Sequence, residues 1–127
     1  MRGHGEISVT FMSGPLDGKT IFFDQPDIGE QKIITIGRRD TCDIHLGFDN
    51  QVSRLHARLG CVSTPIRDKD SSFPALLSFW VEDSNSRNGS YIEKNPEPIR
   101  ERMNLRPGTL FRIGRTWMRL DVPLSFG

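Results

Sequence analysis

Ile7-Ser8-Val9-Thr10-Phe11-Met12 alternates without interruption. Ile7, Val9 and Phe11 share one face, and Ser8, Thr10 and Met12 share the other. A side-chain period of two marks a β-strand with one buried face. Gly14-Pro15-Leu16-Asp17-Gly18 follows. Proline presets φ and glycine permits positive φ, so this stretch predicts a turn. Lys19 to Asp24 then resumes as a strand with Phe22 and Phe23, which makes residues 7–24 a hairpin.

The same pattern repeats along the chain. Lys32–Ile36, Ile44–Leu46, Leu55–Cys61, Leu77–Val81, Tyr91–Ile92, Leu110–Ile113 and Thr116–Val122 all read as strands. Leu55, Ala57, Leu59 and Cys61 are expected on the apolar face of theirs, with His56, Arg58 and Gly60 on the polar face. Polar or Gly/Pro-containing stretches separate these runs, including Asp83–Gly89 with its Asn88-Gly89 turn signal. Residues 62–75 hold Pro65, Pro74 and the Arg67-Asp68-Lys69-Asp70 run, and are expected to form a long inter-strand loop. No window sustains a helical period. About ten short strands divided by turns predict an all-β sandwich or barrel.

The chain has 127 residues, 35% hydrophobic and 26% charged, with a formal net charge of +1. That fits one folded domain, expected over residues 7–122, with tails at 1–6 and 123–127. The near-neutral balance supplies no global field for nucleic acid or an anionic membrane. No apolar run is long enough to span a bilayer and no secretory signal is visible. Cys42 and Cys61 make no disulfide framework. A reducing cytoplasm and a monomeric state are the expectations.

The residues with chemistry to offer lie at strand ends. Arg38 and Arg39 leave a strand just after Gly37. Ser53, Arg54 and His56 surround the next strand start, and Arg87 and Asn88 precede Gly89. A guanidinium fork suits an anion with paired oxygens. A serine hydroxyl can add a donor, and an asparagine amide can bond a peptide main chain.

Other readings of these residues fail on spacing. Gly14 to Thr20 resembles a nucleotide-binding P-loop but has three residues between its glycines where that motif needs four, and no helix is expected to follow. Ser53 and His56 with Asp83 suggest a hydrolase triad. No Gly-x-Ser-x-Gly elbow accompanies them, however, so no catalytic residue is assigned. Cys42 and His45 lack a second pair at zinc spacing, so no metal site or cofactor is expected.

Taken in order, Ile36-Gly37-Arg38, Asp43-Ile44 with Leu46, Val52-Ser53-Arg54-Leu55-His56-Ala57 and Val81 to Ser90 resemble the forkhead-associated (FHA) domain family. Gly14 to Gly18 is similar to its first hairpin, and Leu105 to Gly114 to its closing pattern. The resemblance implies an antiparallel β-sandwich of about eleven strands whose loops at one end bind phosphothreonine peptides. By position, Arg38 and Ser53 would hold the phosphate with support from Arg54. Asn88 would fix the peptide main chain, with Arg87, Arg39 and Gln51 beside it on the rim. Gly37, His56 and Gly89 would shape the loops. The implied partner is a phosphothreonine-bearing protein. The alternative is a degenerate FHA domain making phosphorylation-independent contacts.

Overall fold

The alternating apolar residues pair into two five-stranded sheets that face each other across one core. The computed structural model describes residues 5–70 and 72–123, so most of both expected tails lies outside the described residues. Ten strands are present among them: β1 (Glu6–Phe11), β2 (Thr20–Asp24), β3 (Gln31–Gly37), β4 (Ile44–His45), β5 (Ala57–Pro65), β6 (Ala75–Asp83), β7 (Ser90–Ile92), β8 (Met103–Asn104), β9 (Leu110–Ile113) and β10 (Thr116–Asp121). One sheet runs in the order β2-β1-β10-β9-β7 and the other β4-β3-β5-β6-β8. Neighbours are antiparallel except β3 and β4, which pair in parallel at Ile36–Ile44 and Gly37–His45.

Ile7, Val9 and Phe11 of β1 enter the core, as their alternation predicts. They meet Ile34, Ile36, Leu59, Cys61, Phe79 and Val81 of the second sheet, with Phe111, Ile113, Met118 and Leu120 completing the interior. Truncating such a fully buried side chain as Leu59 to alanine costs about 2–5 kcal/mol, from lost transfer energy plus the cavity left behind. Gly14–Leu16 forms a short 3-10 turn that leads into β2, so no helix N-terminus is available there for phosphates.

Several expectations need correction. Residues 62–75 are not all loop, because β5 continues to Pro65 and β6 begins at Ala75, paired from Val62–Ser78 to Pro65–Ala75. Val62-Ser63-Thr64 lacks apolar patterning but is held by backbone bonds beyond the hairpin. Gly29 N–H donates to the Ser63 carbonyl at 2.8 Å, and Ser63 N–H donates to the Glu30 carbonyl at 3.0 Å. Leu55 is exposed while His56 is fully buried, because β5 starts only at Ala57 and the preceding turn rotates the histidine inward. Asn88-Gly89 closes no hairpin. It lies where the chain crosses from β6 in one sheet to β7 in the other. β8, two residues long, was not expected.

The β3–β4, β4–β5 and β6–β7 connections and the β9–β10 turn gather at one pole. Their cross-bonds include Arg38 N–H to the Ser53 carbonyl at 3.0 Å and Arg115 N–H to Asp49 Oδ2 at 2.8 Å.

Candidate functional site

The polar pole is built by backbone-to-backbone contact before any side chain takes part. Arg38 and Arg39 N–H groups donate to the Ser53 and Arg54 carbonyls, at 3.0 and 3.1 Å. This approach requires Gly37, since a Cβ there would stand 2.1 Å from the Arg54 carbonyl oxygen. Gly37 therefore serves loop-to-loop packing rather than ligand access.

His56 is the buried joint behind the loops. Its Nδ1 accepts from Ser53 N–H at 3.0 Å, and its Nε2 lies 2.8 Å from the Gly89 carbonyl. Accepting at Nδ1 assigns the proton to Nε2, which donates to Gly89. Gly89 has φ of 80°, and a Cβ on it would sit 3.0 Å from the Pro98 Cβ, so a side chain there meets both strain and a neighbour. Asp83 orders the same connection. Its Oδ2 accepts from Ser86 N–H at 2.8 Å, and its Oδ1 accepts from the Ser86 and Ser90 hydroxyls at 2.6 Å each.

In front of this frame lies a hollow of about 260 Å³ lined by Arg38, Asn50, Gln51, Val52, Ser53, Arg54, Arg87 and Asn88. Arg38 Nε donates to the Val52 carbonyl at 3.0 Å. This bond aims the guanidinium and leaves its two terminal nitrogens for a ligand. Ser53 Oγ accepts from Arg87 N–H at 3.1 Å, so its own proton remains to donate. Asn88 Nδ2 donates to the Gln51 carbonyl at 2.8 Å, which fixes the amide and leaves its oxygen and second N–H outward. Arg38, Arg54 and Arg87 are exposed, and none makes an ion pair among the described residues. The hollow is therefore cationic although the whole chain is nearly neutral.

Six of the expected contact residues, Arg38, Gln51, Ser53, Arg54, Arg87 and Asn88, share this hollow. Arg39 does not line it; its side chain is exposed alongside. Gly37, His56 and Gly89 stand behind it. The hydrolase geometry is not formed, since both His56 nitrogens face backbone groups and neither meets the Ser53 hydroxyl. Sequence reasoning missed Asp49, which is 5% exposed. Its carboxylate accepts from Gln51 N–H at 3.0 Å, Arg115 N–H at 2.8 Å and the Thr116 hydroxyl at 2.7 Å. It thereby ties the β4–β5 loop to the β9–β10 turn. The only hint in the sequence was Asp49-Asn50, a pair of turn formers.

The family model for the FHA domain matches residues 34–114, well over half of the chain. The chain belongs to the FHA domain family. The FHA domain of the CT664 protein from Chlamydia trachomatis is similar to it at 22% identity and a TM-score of 0.66, covering 94% of this chain and 99% of that one. An FHA domain from Arabidopsis thaliana is 21% identical with a TM-score of 0.66, over 97% and 92% of the two chains. The MEK1 FHA domain, solved in complex with a HOP1 phosphothreonine peptide, is 19% identical with a TM-score of 0.64, over 91% and 95%. These likenesses establish the sandwich. Among curated proteins, none matches this chain.

Proposed function

We propose that this FHA domain is a phosphothreonine-peptide reader that recruits phosphorylated proteins in signalling. The observation that supports it best is the convergence of the Arg38 guanidinium, the Ser53 hydroxyl and the Asn88 amide on one open cationic hollow. A phosphate carries about −1.5 to −2 charges near neutral pH and offers three acceptor oxygens. Arg38 and Ser53 supply donors for them, Arg54 adds positive charge, and Asn88 with Gln51, Arg87 and Arg39 flanks the peptide. An unphosphorylated threonine would leave the guanidinium without a partner at the interface, which disfavours it.

Residues 7–122 act in this reading as one recognition unit without a catalytic step, since no base reaches Ser53. The domain works as a monomer in the cytoplasm, consistent with its free Cys42 and Cys61 thiols. No described helix is long and apolar enough to cross a membrane.

A pulldown with a phosphothreonine peptide library against matched unphosphorylated peptides tests the reading. Selective retention of phosphorylated members is expected. Equal retention of both sets would instead assign phosphorylation-independent contacts.

A further inference from the structure

Asn88 and Arg38 are aimed by two consecutive backbone carbonyls. The Gln51 carbonyl accepts from Asn88 Nδ2 at 2.8 Å, and the Val52 carbonyl accepts from Arg38 Nε at 3.0 Å. Both carbonyls belong to the connection between β4 and β5, which lies outside both sheets. A side chain hung on a loop carbonyl is aimed only as well as that loop is held.

Asp49 supplies the hold. Its backbone carbonyl accepts from Val52 N–H at 3.2 Å, which closes a turn with Asn50 and Gln51 at its centre. Its Oδ1 accepts from Gln51 N–H at 3.0 Å, a side chain bonding its own backbone two residues on. That bond fixes the central peptide plane of the turn, whose orientation separates type I from type II. Type II needs positive φ at Gln51, whereas positive φ among the described non-glycine residues occurs at Asn85 and Glu93.

The other carboxylate oxygen reaches away from the turn. Oδ2 accepts from Arg115 N–H at 2.8 Å and from the Thr116 hydroxyl at 2.7 Å, so the loop is fastened to the start of β10. The packing between the two is close. A Cβ on Gly114, which has φ of 60°, would stand 2.6 Å from Val52 Cγ2 and 3.0 Å from Asp49 Oδ2. Asp49 is buried and makes no ion pair among the described residues. Its hydrogen bonds offset the cost of burying the carboxylate, and all of them serve loop geometry.

Resting on the phosphopeptide reading, we infer that Asp49 is a positioning residue for phosphothreonine-peptide binding, acting through the Gln51 and Val52 carbonyls that aim the Asn88 amide and the Arg38 guanidinium. Asp49 itself does not line the hollow, and neither does Arg115. The β9–β10 turn is therefore coupled to the phosphate site through one buried carboxylate. Two site residues, drawn from different loops, lose their aim together when it is removed.

The test compares wild type, Asp49→Ala, Asp49→Asn and Ile7→Val. Ile7 is fully buried in β1 opposite Phe23, so Ile7→Val lowers stability without touching the loop. Affinity for one phosphothreonine peptide taken from the library pulldown is measured by calorimetry and corrected for the folded fraction. NMR follows the Arg38 Nε–H and the Asn88 side-chain amide in the free proteins. Asp49→Ala is expected to bind about five- to twentyfold more weakly, within the range for residues coupled through shared partners. Asp49→Asn keeps an oxygen for Gln51 N–H and should fall between Asp49→Ala and wild type; it carries the test alone if Asp49→Ala does not fold. In both variants the Arg38 and Asn88 signals shift and the Arg38 Nε–H exchanges faster with water. Ile7→Val keeps wild-type affinity and signals. Wild-type affinity in the folded Asp49 variants, or weaker binding with both signals unmoved, overturns the positioning role and leaves the phosphopeptide reading intact. Failure of every phosphothreonine peptide to bind the wild type overturns both.

Discussion

The Ser53 hydroxyl oxygen accepts the Arg87 backbone N–H at 3.1 Å, joining the β4–β5 and β6–β7 loops across the front of the site. One atom therefore sets loop spacing and presents a proton to a ligand. Ser53→Ala removes that donor and leaves the Arg87 N–H without its partner. Phosphopeptide affinity is expected to fall by about 1.5–3 kcal/mol, the range for a hydrogen bond to a charged group. Titration calorimetry checks this, and unchanged affinity would remove Ser53 from the phosphate site.

Arg38 couples to the same loop by a different bond, its Nε to the Val52 carbonyl. Arg38→Ala is expected to weaken phosphopeptide binding by about 2–5 kcal/mol. Because the side chain is exposed, the melting temperature should barely move. Arg38→Lys should also bind poorly, since an ammonium keeps the charge but cannot anchor through Nε while presenting two parallel donors. Near wild-type affinity in either variant refutes the role given to Arg38.

His56 should behave in the opposite way, affecting the fold first. His56→Ala opens a cavity and leaves the Ser53 N–H and the Gly89 carbonyl unpaired. A stability loss of about 2–4 kcal/mol is expected by denaturant unfolding. Binding should weaken in the variant molecules that remain folded, because the phosphate loop and the main-chain loop lose their common joint. A variant as stable as the wild type would show that the histidine does not tie them.

The strands were legible wherever burial was one-sided. The alternation at Ile7–Met12 and Leu77–Val81 reports which residues meet the core, because pleating enforces it, although Ser8 and Trp80 on the opposite faces are covered as well. The end of β5 was not legible, since Val62-Ser63-Thr64 is ordered by backbone partners on β6 and in the β2–β3 loop. β8 was missed for a related reason. Met103 and Asn104 are both exposed and form a strand only because Trp80 and Val81 offer an open edge. At the site, Arg38, Ser53 and Asn88 could be named from their order in the chain. Asp49 could not, since its partners Arg115 and Thr116 are remote in sequence and nothing local marks a carboxylate that will be buried.

Two titrations on different groups separate recognition from stability. Glu82 bridges Arg58 and Arg102, with 2.9 Å bonds from both Nε atoms, and Arg102 lies 3.7 Å over the Trp80 ring. The Arg58 hydrogen bond holds the Glu82 carboxyl below its ordinary value; partial burial opposes this and the Arg102 bond reinforces it. A carboxylate with a depressed folded-state pKa stabilises the fold above its unfolded value of about 4.3, and that contribution is lost as the pH falls through the folded value. The stability gap between wild type and Glu82→Gln should therefore be constant from pH 7.5 to 5.5 and narrow only below about pH 4.3. A phosphopeptide takes up its proton near pH 6, so its affinity should already drop over the upper interval, while this ion-pair cluster is intact. Calorimetric binding and denaturant unfolding at matched pH check both. Affinity flat from pH 7.5 to 5 would count against charge-led recognition of the phosphate, and a Glu82→Gln gap unchanged down to pH 3 would count against the bridge.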